Sequence, residues 1–396
     1  MIQHVSRRDF VKAGMAAAGL AAAPPAPAVP RNSLPRWRGF NLTNLFQARV
    51  QKGPVEIAED DFRMIADLGF DFVRVPMDYW FWVDGEWTKT GRMNAADVQK
   101  VKESGLALVD RIIELGRSHG IHVSLNFHRA PGYCVSNPDL EPFVLWRDRD
   151  AEDAFVFHWD LFTRRYRDIG PNELSFNLLN EPGTPVAQPG ARPPELGAVL
   201  VKEALSPQPP ANMTREDHRR VMTRAVQKIR ETSPDRTIII DGLSLGNEVV
   251  REMMPAGVAQ SVHCYLPLEI SHYRASWVDK ANDFPEPKWP SRRRDGVGEV
   301  SRVTLEALYE PWGWLVRQGV GVHAGEAGGF IRAPHSVFLR WTCDVLDILK
   351  MHSIGFALWN FRGAFGVLDS GRSDVAYEDW HGHKLDRDLL TLLQYH

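Results

Sequence analysis

The sequence contains little cysteine, only three residues among 396. Cys134, Cys264 and Cys343 are odd in number and far apart, so they provide neither a disulfide framework nor the short spacings of a zinc site. No run reaches the roughly 20 apolar residues that a membrane-spanning helix requires, which excludes an integral membrane protein. The chain also lacks a basic excess, since 47 Lys and Arg oppose 50 Asp and Glu. A nucleic-acid-binding protein is therefore not expected.

Tryptophan, in contrast, is abundant, with 13 residues. Indole rings offer flat, amphipathic surfaces on which sugar rings can stack. Trp80, Trp82 and Trp146 follow the second and third candidate strands described below. They are either platforms for a sugar or packing residues of the loops, and the sequence leaves both readings open.

The N-terminus has the order of a secretory signal. Two adjacent arginines, Arg7 and Arg8, stand in a short charged segment that precedes a small apolar run over residues 13–23. Small residues follow, and cleavage is expected after Ala23 or Ala28. The paired arginines are typical of a twin-arginine signal. We therefore predict a signal peptide over residues 1–28 of an exported, periplasmic or extracellular protein, and a single domain over 29–396.

Short β-rich runs recur along the rest of the chain, and helix-period patterns separate most of them. The candidate strands are Trp37–Asn41, Asp71–Pro76, Ile121–Phe127, Leu174–Leu179, Thr237–Asp241, Gln260–Cys264, Val320–Ala324 and Ile354–Trp359. The candidate helices lie near 56–68, 97–118, 152–168, 214–232, 246–254, 301–318, 336–352 and 385–394. Strands that alternate with helices favour a parallel sheet.

Eight such units predict an α/β fold of the (β/α)8 TIM-barrel type, and a doubly wound open sheet is the alternative. Two long insertions follow strands, at residues 182–210, which contain eight prolines, and at 266–300. In a barrel both belong to the C-terminal face, where active sites of this fold are built.

Polar side chains stand at the ends of the candidate strands. They are Arg74, His128, Asn180, Glu181, His263, Tyr265, Glu326 and Trp359. Because buried polar groups are costly, their recurrence indicates a functional cluster at one mouth. Two carboxyl groups from different strands suit cleavage of a glycosidic bond, in which one protonates the leaving oxygen and the other attacks the anomeric carbon or activates water.

These residues resemble glycoside hydrolase family 5, the cellulase family of retaining β-glycosidases. The resemblance runs from Gly39-Phe40-Asn41 to Trp359, and its most specific element is Asn180-Glu181-Pro182. It implies that Glu181 is the acid/base and Glu326 the nucleophile. The surrounding active-site positions of the family match residues Arg74, His128, Asn180, His263, Tyr265 and Trp359.

The resemblance further implies a monomer that binds a β-linked oligo- or polysaccharide without a metal or organic cofactor. Gly325-Glu326-Ala327 lacks the aromatic residue that many members carry after the nucleophile. His128-Arg129-Ala130-Pro131-Gly132 is similar to the third-strand loop of the exo-β-1,3-glucanase branch. A β-glucan is the expected substrate and a β-mannan the alternative, while linkage and endo or exo action stay open.

Three other readings compete. Gly242-Leu243-Ser244-Leu245-Gly246 follows a strand, as the nucleophile elbow of a serine esterase would. A carbohydrate-binding barrel without activity is another possibility, although both glutamates are present. His381 and His383 have the types of metal ligands, but a solvated turn is the simpler interpretation.

Overall fold

The structure is a computed structural model that describes residues 32–205, 212–278, 283–292 and 298–396. The predicted signal peptide, residues 1–28, lies outside them. No helix in these four stretches is both long enough and apolar enough to cross a membrane.

Eight parallel strands form a closed barrel. We number them β1 to β8 in chain order: Arg38–Asn41, Phe72–Asp78, His122–Ala130, Leu174–Asn177, Thr237–Asp241, Ala259–Cys264, Val322–Ala327 and Gly355–Leu358. Each strand pairs with the next, and β8 pairs with β1 to close the ring. The short strand Tyr133–Cys134 adds to the end of β3 in antiparallel fashion. The barrel prediction is therefore confirmed, and the open doubly wound sheet is wrong.

Helices surround the barrel. The longer ones, α1 to α8, span Glu59–Asp67, Glu103–Ser118, Arg149–Arg165, Leu196–Ala204, Arg215–Thr232, Arg302–Arg317, His335–Met351 and Arg387–Tyr395. The α4 helix lies within the proline-rich insertion at 182–210, where no helix was expected. The α-helix expected near 246–254 is wrong, because Ser244 and Leu245 adopt left-handed backbone angles and the chain then forms a 3-10 helix at Arg251–Ala256.

The barrel interior is apolar or aromatic towards its N-terminal end and polar towards its C-terminal end. Trp37 stacks on His122 with ring centroids 3.7 Å apart, and Phe72 lies 4.4 Å from His323. Every residue of β2 and β3 is buried, as expected for strands covered on both faces. The interior is thus a packed core, with stacked aromatic rings at its N-terminal end.

Candidate active site

All eight predicted site residues lie on or directly after barrel strands, towards the C-terminal mouth. Arg74 is on β2, His128 on β3, His263 on β6 and Glu326 on β7. The other four lie just after strands: Asn180 and Glu181 follow β4, Tyr265 follows β6, and Trp359 follows β8. Parallel strands in a closed ring end at the same face, which is why residues far apart in sequence meet here.

The guanidinium group of Arg74 is the centre of the cluster. It is only 1% exposed and donates hydrogen bonds to Glu326 (2.7 Å) and to Asn180 (2.7 Å). It also donates to the side-chain oxygens of Asn41 (3.0 Å) and Asn177 (2.8 Å). The rigid fork of Arg therefore connects four strands and fixes one carboxylate oxygen of Glu326.

The second oxygen of Glu326 accepts a hydrogen bond of 2.9 Å from the hydroxyl of Tyr265. Burial raises the pKa of Glu326, while the positive charges of His263 and Arg74 act in the opposite direction. Burial also raises the pKa of Tyr265 well above its ordinary value, so its hydroxyl keeps the proton that it donates. Two donors and two neighbouring positive charges favour an ionised Glu326.

Glu181 faces Glu326 across the mouth. One carboxylate oxygen of Glu181 lies 2.9 Å from Nδ1 of His263. Its main chain is in the left-handed region, with φ of 46°. The N–H group donates to Asp241 at 3.0 Å, and the carbonyl accepts from the hydroxyl of Tyr133 at 2.6 Å. The main chain of Glu181 is therefore held on both sides in a conformation that few non-glycine residues adopt.

The ring of His263 lies between three carboxylates. Nδ1 is 2.9 Å from Glu181 and 3.7 Å from Glu326, and Nε2 is 3.1 Å from Asp241. Burial alone would lower the pKa of His263, but the charges of Glu326 and Asp241 raise it to about 10. The pKa of Asp241 falls well below its ordinary value because His263 and Arg74 outweigh the opposing effect of burial. His263 is thus an imidazolium at neutral pH.

His128 and Trp359 form one aromatic side of the mouth. Their ring centroids are 5.7 Å apart. The ring of Phe46 packs edge-on against both, at 4.5 Å from His128 and 5.1 Å from Trp359. Burial, followed by the charge of Arg74, lowers the pKa of His128 well below its ordinary value. A neutral imidazole and an indole are suited to a sugar ring, which is neutral and has apolar faces.

Five residues that support this site were not among the sequence candidates. They are Asn41, Phe46, Tyr133, Asn177 and Asp241. Asn41 and Asp241 are the last residues of both the candidate and the observed strands, where a buried polar residue is unusual, so their position was a usable signal; Asn177 was expected inside its strand but ends it. Phe46 lies in the segment after β1 and Tyr133 on the short strand after β3, and nothing in the sequence indicates where either side chain points.

The competing sites do not form in the described residues. Ser244 is fully buried, and its hydroxyl lies 3.4 Å from Glu248 rather than beside a histidine. The ring of His383 bonds to Asp369 at 2.7 Å.

The three tryptophans whose role was left open pack inside the protein. Trp82 and Trp146 are 0% and 2% exposed. The guanidinium group of Arg129 lies over the ring of Trp80, 3.9 Å from the centre of that ring. They stabilise loops rather than present a free surface.

Glu181, His263 and Glu326 each present one ligand atom within 4.8 Å of the others. They are the one group of His, Cys, Asp and Glu in the described parts of the chain that is close enough to share a metal ion. Here the protons of His263 already supply positive charge between the carboxylates. Two carboxyl groups at this distance, at the mouth of a (β/α)8 barrel, are the arrangement with which glycoside hydrolases cleave a glycosidic bond.

The chain belongs to glycosyl hydrolase family 5, because the family's sequence profile, described as Cellulase, matches residues 30–364. Endoglucanase C of Acetivibrio thermocellus is 24% identical over 351 residues, which cover 81% of this chain and 89% of the relative. A probable glucan 1,3-beta-glucosidase A of Emericella nidulans is 26% identical over 133 residues, or 33% of this chain and 30% of the relative.

Solved structures agree with the fold. A crystal structure described as a glycoside hydrolase is 36% identical, with a TM-score of 0.78, and covers 91% of this chain and 99% of its own. A hyperthermophilic endo-beta-1,4-glucanase in complex with substrate has a TM-score of 0.64 at 20% identity, over 90% of this chain and 96% of its own.

Proposed function

We propose that this protein is an exported retaining β-glycosidase that hydrolyses a β-glucan by double displacement. The observation that carries the proposal is the placement of Glu181 and Glu326, whose nearest ligand atoms lie within 4.8 Å across the mouth. Retaining enzymes hold their carboxyl groups about 5–5.5 Å apart, whereas inverting enzymes need a gap wide enough for water.

Glu326 attacks the anomeric carbon, and Glu181 protonates the leaving oxygen. A covalent glycosyl-enzyme forms, and Glu181 then takes a proton from the water that releases the sugar. Arg74 and Tyr265 hold Glu326, which is supported by their contacts of 2.7 and 2.9 Å with its two oxygens.

The sugar bound at the reacting centre lies against Trp359 and His128. The side chain of Asn180 has an unpartnered amide nitrogen, which we assign to the sugar 2-hydroxyl. A bond to that hydroxyl strengthens in the transition state. The names of the relatives, an endoglucanase and a glucan 1,3-beta-glucosidase, support a β-glucan as the substrate.

Azide separates the two glutamate roles. In Glu181→Ala, the intermediate still forms from an activated aryl β-glucoside, and azide should intercept it to give a β-glycosyl azide. In Glu326→Ala, azide should enter directly and give the α-glycosyl azide. Loss of acid/base help should lower kcat by about 10²–10⁴-fold on unactivated glucans. An α product from the Glu181 variant, or near-normal turnover by the Glu326 variant, would overturn the assignment.

Product analysis on β-1,3-, β-1,4- and mixed-linkage glucans and on β-mannan identifies the substrate. Faster hydrolysis of mannan than of every glucan would contradict the glucan proposal.

Export is tested separately. Replacing Arg7 and Arg8 together with lysine should retain active enzyme in the cytoplasm. Unchanged export of that variant would remove the twin-arginine assignment.

A further inference from the structure

The last residue of β5 and the turn that follows it, residues 241–246, support the segment that carries Glu181. Asp241 accepts from the N–H of Glu181 at 3.0 Å. The N–H of Leu245 donates to the carbonyl of Pro182 at 3.0 Å, and that of Ser244 donates to the carbonyl of Gly183 at 3.3 Å. Three successive residues after β4, Glu181 to Gly183, are therefore each bonded through the main chain to residues 241–246.

The turn has an unusual backbone. Ser244 and Leu245 have φ of 53° and 58°, a conformation that is unfavourable for non-glycine residues and persists only where the surrounding structure holds it. Gly246 has φ of 76°, and a Cβ there would lie 2.7 Å from Cγ of His263. The turn is thus shaped to point its N–H groups at the segment after β4 while it packs against the ring of His263.

Asp241 also faces His263 directly, with 3.1 Å between its carboxylate and Nε2. The other charged or titratable groups around this ring are Glu181, Glu326, Arg74, His128 and Tyr265. A further bond of 2.8 Å, from the side chain of Asn177, fixes the other oxygen of Asp241. The carboxylate is 1% exposed, so water does not weaken these contacts.

We propose that Asp241 is a positioning residue, which holds the main chain of Glu181 and the ring of His263 so that the Glu181 carboxyl group reaches the leaving oxygen. This rests on the acid/base role of Glu181 proposed above. The pattern Gly242-Leu243-Ser244-Leu245-Gly246 then has a role of its own, as the support of the acid/base segment rather than as a nucleophile elbow.

The kinetic test compares two substrates whose leaving groups differ. In Asp241→Asn, kcat/KM for a β-linked glucan oligosaccharide should fall by about 100-fold or more, because its departing sugar needs a proton. For a dinitrophenyl β-glucoside, which needs none, kcat/KM should stay within about threefold. An equal fall for both substrates, or no fall, overturns the proposal.

Asp78→Asn is the matched control. Asp78 is likewise a buried carboxylate at a strand end, and it accepts from the N–H groups of Ala48 and Trp80 at 3.1 Å each. Asp78→Asn should lower the melting temperature without changing the ratio of the kcat/KM values for the two substrates. A control that changes this ratio as much as Asp241→Asn shows a general effect of buried carboxylates and overturns the proposal.

A second measurement needs no substrate. Nitrogen NMR of the histidine rings should show that His263 loses its proton at a lower pH in Asp241→Asn than in the wild type, and an unchanged titration contradicts the proposal.

If Asp241→Asn does not fold, Gly246→Ala, which presses on the ring of His263, should show the same selective loss on the oligosaccharide. A wild-type protein that is inactive on both the oligosaccharide and the dinitrophenyl β-glucoside would refute the proposed function. The NMR titration would still show whether Asp241 acts on His263.

Discussion

Replacement of Arg74 by methionine should both destabilise the protein and shift the pH dependence of its kcat/KM. The side chain of methionine fills much of the same space but has neither charge nor donors. Four side-chain oxygens would lose their donor, those of Asn41, Asn177, Asn180 and Glu326. The negative charge of Glu326 would lose its nearest positive partner.

The magnitude follows from burial. Breaking a buried ion pair by removing one partner costs about 3–5 kcal/mol, and Arg74 is 1% exposed. An opposite charge in contact lowers a carboxyl pKa by about 1–3 units. The pKa of Glu326 should therefore rise in the variant, because its ionised form loses the positive charge of Arg74.

Two assays check these numbers. Urea unfolding at pH 7 should show a free energy of unfolding lower by about 3–5 kcal/mol. The acid limb of kcat/KM on an aryl β-glucoside should move to higher pH, because Glu326, as the proposed nucleophile, must be ionised to attack. Arg74→Lys, which keeps the charge but not the planar fork, should lie between the two proteins in both assays.

Arg111→Met is the control, since Arg111 forms exposed ion pairs with Glu59 and Glu114, and such pairs contribute little to stability. A loss of less than about 1 kcal/mol for Arg74→Met, with an unchanged acid limb, would refute the reasoning.

Three further predictions concern other parts of the chain. The pKa of His263 is raised from 6.5 to about 10. The contribution of its charge to the stability of the fold is therefore complete below pH 6.5 and is lost as the pH rises through about 10. The melting temperature should fall from about pH 6 to above about 10 in the wild type, and should fall less in His263→Gln. A Cβ at Gly39 would lie 1.7 Å from a carbonyl oxygen of β2, so Gly39→Ala should yield no folded protein, whereas Gly170→Ala, with no neighbour nearer than 3.8 Å, should melt normally. Tyr79→Phe removes the donor of a 2.8 Å bond to the buried Glu141 and should lower the free energy of unfolding by about 1–3 kcal/mol in urea, while an unchanged stability would show that the bond contributes nothing.

The barrel could be predicted because its strands are buried on both faces and read as short β-rich runs. Their ends were harder to place. The seventh strand was expected to end at Ala324 but continues to Ala327, and the pairing register of this strand shifts between these residues. Small and polar residues such as Gly325 and Glu326 look like a loop in sequence, although here they continue the strand.

The part of the site that escaped prediction depends on pairing between side chains. Asp241 was visible as the last residue of a strand, but its contacts with Glu181 and His263 follow from the curvature of the barrel, which brings β4, β5 and β6 together. The helix expected near 246–254 failed for a related reason. The backbone of Ser244 and Leu245 is left-handed because tertiary contacts hold it in that conformation, and the local helix and strand propensities of these residues do not indicate it.

The two bonds that hold the main chain of Glu181, from Asp241 on its N–H and from Tyr133 on its carbonyl, have a consequence for the two proton transfers of the reaction. In the proposed mechanism Glu181 gives a proton to the leaving oxygen and later takes one from the water that replaces that oxygen at the same place. With its main chain held on both sides and its carboxyl group 2.9 Å from His263, Glu181 can serve both steps without a movement of the backbone.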